Sequence, residues 1–170
     1  INIDVTGVAD VPTVTIGEAQ GFEDSAIPLN IDVTAADEGE VLSITISDIP
    51  EGATLSVGTL NDDGSVTLTP EQLADLTITP PADSNVDFEL NVAVTSSEGG
   101  ESVTVEEKLA VDVVGVADDP NLATQDATGD ENTAIALDVT SSLSDVDGSE
   151  DLSLSISNVP DGAVLMSGTT

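Results

Sequence analysis

The chain has 170 residues, of which 34 are acidic and one, Lys108, is basic, for a formal net charge of -33. Charge of this sign repels nucleic acid and anionic membrane surfaces. The chain has no Cys and no His, which excludes thiolate or imidazole zinc sites and His-based catalytic triads. Oxygen ligands remain, and they suit calcium better than transition metals. Apolar residues make up 39% of the chain and alternate in register, so we expect a folded protein rather than a disordered one.

Three segments of the chain recur in the same order, which indicates tandem domains. Segment 8–12 returns as 116–120 and segment 23–29 as 131–137, both at an offset of 108, and segment 42–53 returns as 152–163 at an offset of 110. A chance similarity would not keep one offset over so many residues. The change of offset from 108 to 110 corresponds to two residues inserted in a loop.

The repeat register predicts the domain boundaries. Residues 1–7 are expected to be the last strand of a preceding repeat, residues 8–115 one complete domain, and residues 116–170 the N-terminal half of a second domain. Thr170 matches Leu60 of the first domain, so we expect the later strands of the second domain to be missing. Its apolar strands would then lack cover. A neighbouring molecule could complete the domain, a non-contiguous segment of the native protein could do so, or the contacts within the chain could suffice. Of these we favour strand sharing with another molecule, with residues 1–7 as the donated strand.

One-sided alternation of apolar residues within 8–115 predicts a series of short β-strands. In chain order, the predicted strands cover residues 14–16, 27–33, 42–46, 53–57, 65–69, 76–79, 88–94 and 103–113. Residues 62–64 predict a hairpin turn, and residues 70–73 predict at most one helical turn. Glu107 breaks the alternation of the last strand, so we expect a bulge beside it. This pattern predicts an all-β, immunoglobulin-like β-sandwich in tandem.

Aromatic residues are almost absent, since Phe22 and Phe88 are the two that the chain contains. A core of Val, Ile, Leu and Ala suits interdigitated sheets better than a ligand cavity. Sugar clefts and protein-binding hot spots favour aromatic residues, and the Ser and Thr residues have no neighbouring base that would activate them. We therefore expect a protein that is not an enzyme.

Acidic residues cluster in loops that the sandwich topology brings to the two ends of a domain. Asp145 and Asp147 form an Asp-x-Asp loop, which presents two carboxylates on one side of a turn, as hard cations require. We expect calcium where this loop meets the interdomain linker and the lower end of the first domain, with candidate ligands Glu23, Asp24, Asp83, Asp118, Asp119, Asp145 and Asp147. Asp10, Asp37 and Glu40 are candidates for the equivalent site with a preceding repeat. The alternative is a set of solvated acidic loops without an ion.

These motifs resemble cadherin-like repeats, particularly those of bacterial RTX-type adhesins. Such repeats pair a Glu before the second strand, here Glu23 and Glu131, with an Asp-x-Asp loop and an acidic linker that ends in Pro, here residues 118–120. Segment 68–81 resembles bacterial adhesin extenders more than animal cadherins. The linker is poorer in Asp and Asn than the animal type, so we expect fewer calcium ions at each junction.

The resemblance implies a calcium-stiffened extender domain of a large bacterial cell-surface adhesin, which spaces an adhesive tip from the cell in adhesion or biofilm formation. It implies an extracellular location on a Gram-negative bacterium, neighbouring repeats of the same chain as partners, and neither nucleic-acid binding nor membrane insertion. Two alternatives remain: an adhesion module that itself binds a glycan or peptide, and an accessory domain of an exported enzyme.

Overall fold

A computed structural model describes residues 1–145 and 147–166 of the chain. The chain divides into two compact units, Ile1–Val116 and Ala117–Thr170, called unit 1 and unit 2 below. Residues 1–12 form no strand, so the assignment of residues 1–7 to a preceding repeat stays a prediction. Residues 167–170, the end of the predicted half-domain, lie outside the described residues.

Unit 1 is built from eleven strands and a single turn of 3₁₀ helix, Pro70–Leu73. The strands are β1 Thr13–Ile16, β2 Ala19–Phe22, β3 Ile27–Pro28, β4 Ile31–Thr34, β5 Val41–Ser47, β6 Thr54–Leu55, β7 Thr59–Leu60, β8 Val66–Leu68, β9 Thr77–Thr79, β10 Phe88–Glu98 and β11 Glu101–Val114. The predicted helical turn at 70–73 and the predicted hairpin turn at 62–64, which joins β7 to β8, are confirmed. Strands β2 and β7 were not predicted, and the single strand predicted over residues 27–33 is wrong, since β3 and β4 are separate strands that pair with β9 and β1.

The strands form curled sheets in an all-β arrangement. One sheet has the order β2-β11-β10-β5-β8-β7, a second has the order β3-β9-β6, and β1 pairs with β4. Strands β2 and β11 run parallel, while the remaining pairs of these sheets are antiparallel. The prediction of an all-β protein is confirmed, and the arrangement is consistent with a β-sandwich.

One apolar core joins the sheets of unit 1. The inward residues of β10 and β5, such as Val92 and Ile46, are fully buried, and so are Ile27 of β3 and Ile78 of β9 from the other sheet. The predicted alternation therefore marks the buried face correctly. Full burial of one such side chain stabilises the fold by about 1.5–3 kcal/mol.

The predicted bulge at Glu107 is wrong. The pairing of β10 with β11 is continuous from Phe88–Val111 to Glu98–Glu101, and Glu107 lies directly opposite buried Val92. Glu107 is nevertheless exposed. Only the segment Val111–Val114 of β11 pairs with β2, and Glu107 lies outside that segment. A charged residue is tolerated on the inward face where the core ends, so the strand does not need to slip.

Unit 2 repeats the local structure of the start of unit 1. Its strands β12, Asn121–Thr124, and β13, Val139–Ser142, pair in the same register as β1 and β4, shifted by 108 residues. The hydrogen bond from the N–H of Gly17 to the carbonyl of Asn30 recurs between Gln125 and Asp138. The internal repeat is therefore structural as well as sequential. Across the described residues, no helix is long and apolar enough to span a bilayer.

Candidate metal centre

The Asp-x-Asp loop of unit 2 is held in a tight turn by its own carboxylates. Asp145 is buried, with 1% of its surface exposed, and its Oδ1 accepts a hydrogen bond of 2.8 Å from the N–H of Asp147. Asp147 in turn accepts a bond of 2.7 Å from the N–H of Ser149. Gly148 has a φ of 97°, a conformation that favours glycine. The loop therefore holds the carboxylate of Asp145 against the backbone N–H of Asp147.

Three carboxylates of unit 2 meet beside this loop. Asp118, Asp145 and Glu150 each offer one oxygen, and the three oxygens lie within 4.8 Å of one another. Glu150 also accepts a hydrogen bond from the N–H of Asp118 through Oε1, while its buried Oε2 has no hydrogen-bond partner. Like charges this close repel, and a buried oxygen without a partner is costly. A divalent cation with oxygen ligands would relieve both.

Unit 1 contains the same arrangement of backbone contacts around Asp10, Asp37 and Glu40. The N–H of Asp10 donates to Glu40 Oε1 at 2.5 Å, as the N–H of Asp118 does to Glu150. The N–H of Gly39 donates to Asp37 Oδ1 at 3.0 Å, as the N–H of Asp147 does to Asp145. The structure thus brings the three predicted residues together, and the repeat reproduces their positions.

Glu98 adds a fourth carboxylate to this end of unit 1. Burial, and then the negative charges of Asp37, Glu40 and Asp10, raise the pKa of Glu98 above its ordinary value of 4.5. Its Oε2 is buried without a hydrogen-bond partner. The backbone N–H of Asp10 holds the pKa of Glu40 below its ordinary value. Hydrogen bonds therefore favour the ionised form of Glu40, whereas burial and neighbouring charges disfavour the ionised form of Glu98.

The other end of unit 1 carries the predicted residues Glu23, Asp24 and Asp83. Glu23 is buried, and its Oε1 accepts a hydrogen bond of 2.5 Å from the N–H of Val116. Asp24 Oδ1 accepts a bond of 3.1 Å from the N–H of Asp83. Both aspartates have a positive φ, 55° and 52°, a backbone conformation that Asp adopts more readily than most residues. The predicted meeting of these loops with the Asp145 loop and the linker stays a prediction.

Asp119 contributes its backbone rather than its side chain to the contacts of unit 2. Its carbonyl accepts a hydrogen bond from the hydroxyl of Ser144, and the residue is exposed. This contact ties the linker to the residue that precedes the Asp-x-Asp loop. As a metal ligand, Asp119 stays a prediction.

Two members of these clusters, Glu98 and Glu150, were not predicted from the sequence. Glu150 could have been found, because it lies 110 residues after Glu40, at the offset that relates segments 42–53 and 152–163. Glu98 has no such signal. It reaches the cluster because β10 pairs with β5 as far as Ser97–Val41, which places the next residue, Glu98, beside Glu40.

A scan against protein-family models found no matching family, and a search of curated proteins found no matching sequence. The acidic clusters are the features of the structure that bear on function. They contain carboxylate oxygens without any nitrogen or sulfur donor, and such oxygens suit hard cations. The cluster of Asp118, Asp145 and Glu150 could hold a metal ion.

Proposed function

We propose that this chain is a calcium-stiffened structural module, an extender piece of tandem immunoglobulin-like and cadherin-like repeats from a large bacterial cell-surface adhesin. The observation that carries the proposal is the cluster of Asp118, Asp145 and Glu150, whose oxygens lie within 4.8 Å of one another. Calcium would replace their repulsion with coordination and would fix the linker residue Asp118 to the Asp145 loop.

The strand order supports an immunoglobulin-like sandwich. The order β3-β9-β6 corresponds to strands B, E and D of that fold, and the order β5-β10-β11 corresponds to strands C, F and G. Strand β1 would take the place of A, and β4, which pairs with β1 and follows β3 closely in the chain, would continue strand B. Cadherin-like repeats share this architecture and place their acidic loops at the ends of the sandwich.

The repetition of the acidic clusters supports a spacer rather than an isolated binding module. Equivalent backbone contacts to Glu40 and Glu150, and to Asp37 and Asp145, occur in two successive units. A site that occurs at the same position in successive domains is part of the structure of the tandem array itself. The near absence of aromatic residues also leaves few anchors for a partner.

Thermal unfolding with and without calcium tests the proposal. A ligand that binds the folded state alone stabilises it by RT ln(1 + [L]/Kd), about 2.7 kcal/mol at ~100 Kd. Extracellular modules bind calcium at about 10⁻⁴–10⁻³ M, so we expect the melting temperature to rise steadily into the millimolar range. Circular dichroism is the suitable probe because the chain has no Trp and no Tyr.

A matched pair of variants identifies the site. Glu150→Gln should remove one calcium ion from the stoichiometry measured by titration calorimetry. Asp151→Asn removes the same charge from the neighbouring exposed residue and should leave the stoichiometry unchanged. Equal melting temperatures in calcium and chelator, or an unchanged stoichiometry in Glu150→Gln, would contradict the assignment.

A further inference from the structure

In the six-stranded sheet of unit 1, the strand that comes first along the chain, β2, lies beside the last one, β11. The two strands run parallel and pair from Ala19–Val111 to Phe22–Val114. In a parallel pair, the chain enters one strand and leaves the other at opposite ends of the pair. Tension between the two ends of unit 1 therefore slides β2 along β11 and loads all of their hydrogen bonds together, instead of opening them one after another.

Strand β2 is also fixed to the core of unit 1. Ala19 is 3% exposed, and a Cβ on Gly21 would lie 2.6 Å from Cγ1 of Ile27, so the strand lies directly on a buried side chain. Strand β1 precedes β2 in the chain and pairs with β4, but its residues are exposed or half-buried. Loss of β1 under tension would therefore leave β2 and the core in place.

Two carboxylates extend the hold on β11 beyond its backbone pairing. β11 continues past the first residue of β10, where Asp87, the residue before β10, accepts a hydrogen bond of 2.8 Å from the N–H of Val113 through Oδ1. Glu23, the residue after β2, accepts a hydrogen bond of 2.5 Å from the N–H of Val116 through Oε1. The residue next to each flanking strand thus holds the segment 113–116, by which the chain leaves unit 1.

Both contacts are suited to carry load. An ionised carboxylate accepts hydrogen bonds about twice as strong as those of a neutral acceptor. Glu23 is buried, with 1% of its surface exposed, so water has little access to its hydrogen bond. The N–H of Glu23 also donates to the carbonyl of Val114 at 3.0 Å. Glu23 therefore holds the end of β11 through its backbone as well as its side chain.

We propose that unit 1 bears tension along the chain, and that the parallel pair β2–β11 and the contacts of Glu23 and Asp87 form the clamp that resists it. This role rests on the proposed extender function, because a spacer between a cell and an attached tip is pulled from end to end. The clamp consists of hydrogen bonds and packing, so it needs no ion. Its strength in chelator therefore tests it separately from the proposal of calcium binding.

Single-molecule pulling of the full chain in chelator, in two directions, tests the clamp. The chain has no Cys, so introduced cysteines give unique attachment points. Cysteines added at the two ends of the chain shear β2 against β11. A cysteine added at the N-terminus, combined with Ser102→Cys at an exposed residue near the start of β11, bends β2 back from its first residue and opens its pairs in turn.

We expect a several-fold higher force in the first direction than in the second at the same loading rate. The reason is that all the hydrogen bonds of the pair must break together in the first direction. The unfolding of unit 1 is recognised by the length of chain that it releases, ~3.3–3.6 Å for each residue.

Matched variants assign the resistance to the carboxylate contacts. Glu23→Ala and Asp87→Ala each remove one acceptor. Under constant end-to-end tension each should unfold about ten- to a hundredfold faster, as expected for the loss of one hydrogen bond to a charged group. With the load applied at Ser102→Cys, both should release β2 at the force of the parent, because segment 113–116 then carries no load.

Two further variants separate the hydrogen bond from the charge. Glu23→Gln keeps an acceptor oxygen and should recover most of the resistance that Glu23→Ala loses. Asp112→Ala removes an exposed carboxylate from β11 itself and should behave like the parent in both directions.

Similar forces for the parent in the two directions would overturn the proposal. So would equal acceleration of unfolding by Glu23→Ala and Asp87→Ala in both directions, since that would indicate a general loss of stability. A chain that is strong in chelator, but whose melting temperature does not respond to calcium, would support the clamp and contradict the proposed calcium stiffening.

Discussion

Glu98 shows how a partly buried carboxylate responds to acidic neighbours. Its carboxylate is half-buried among Asp10, Asp37 and Glu40, and its pKa is raised by burial first and by these charges second. The anionic form is therefore unfavourable in the folded chain without calcium. The same negative charge would favour the binding of a cation.

We expect Glu98→Gln to have opposite effects with and without calcium. In chelator at neutral pH the variant should melt at a higher temperature than the parent, because the strained anion is gone. In calcium its melting temperature should rise less than that of the parent, because a ligand is lost. Glu101→Gln is the control, since Glu101 pairs with Glu98 across the same hairpin but is exposed. If Glu98→Gln were less stable than the parent in chelator, the carboxylate would not be strained.

The pH dependence of the same pair has a definite sign. Glu98 has a raised pKa in the folded state, so the folded state gains a proton before the unfolded state as the pH falls. Its contribution to stability therefore increases from the folded pKa down to about 4.5 and is constant below that. Glu40, with a lowered pKa, acts in the opposite direction. Subtracting the profile of Glu98→Gln from that of the parent in chelator isolates the Glu98 contribution, and a difference that falls with decreasing pH would contradict it.

Clusters of this kind are predictable from sequence only in part. The three candidate ligands Asp10, Asp37 and Glu40 follow from loop motifs and from the repeat. Glu98 lies far along the chain from all of them, and the pairing of β10 with β5 up to Ser97–Val41 brings it there. A local sequence pattern carries no record of such a tertiary contact.

Strands are predictable where one face is buried and the other is exposed. β10 and β5 have that alternation and were predicted, whereas β7 is two exposed residues and has no inward face. β2 is a strand because β11 pairs with it. Its Gly21 is required by packing, since a Cβ there would lie 2.6 Å from Cγ1 of Ile27. Tertiary pairing determines such strands, and the sequence of the strand itself does not.

The two units give a matched experiment on strand burial. Ile46 of β5 is 0% exposed, and its repeat counterpart Ile156 is 47% exposed. Ile46→Ala should lower the free energy of unfolding by about 2–5 kcal/mol. Ile156→Ala should change it by less than about 0.5 kcal/mol. Urea titration followed by circular dichroism at low protein concentration, where copies do not associate, measures both. A comparable loss in the two variants would mean that the strand face of unit 2 is covered.

At the scale of the whole molecule, the charge of -33 opposes the compact state through self-repulsion. Any cation relieves some of this repulsion by screening. A bound divalent ion does so at particular carboxylates and at much lower concentration. The two mechanisms predict different responses to calcium and sodium at equal ionic strength.

We therefore expect calcium to stabilise the chain where sodium does not. In a background of ~0.15 M salt the Debye length is already ~8 Å. Adding ~15 mM sodium chloride hardly alters the screening, and ~5 mM calcium chloride has the same ionic strength. The calcium sample should melt at a higher temperature, and magnesium should have a smaller effect because it demands octahedral geometry and loses its waters reluctantly.

The combined variant Glu98→Gln, Glu150→Gln should lose most of the calcium effect and keep the response to sodium. If sodium and calcium shifted the melting temperature equally, the acidic clusters would be surface charge, and the ends of the sandwich would have no role as metal centres.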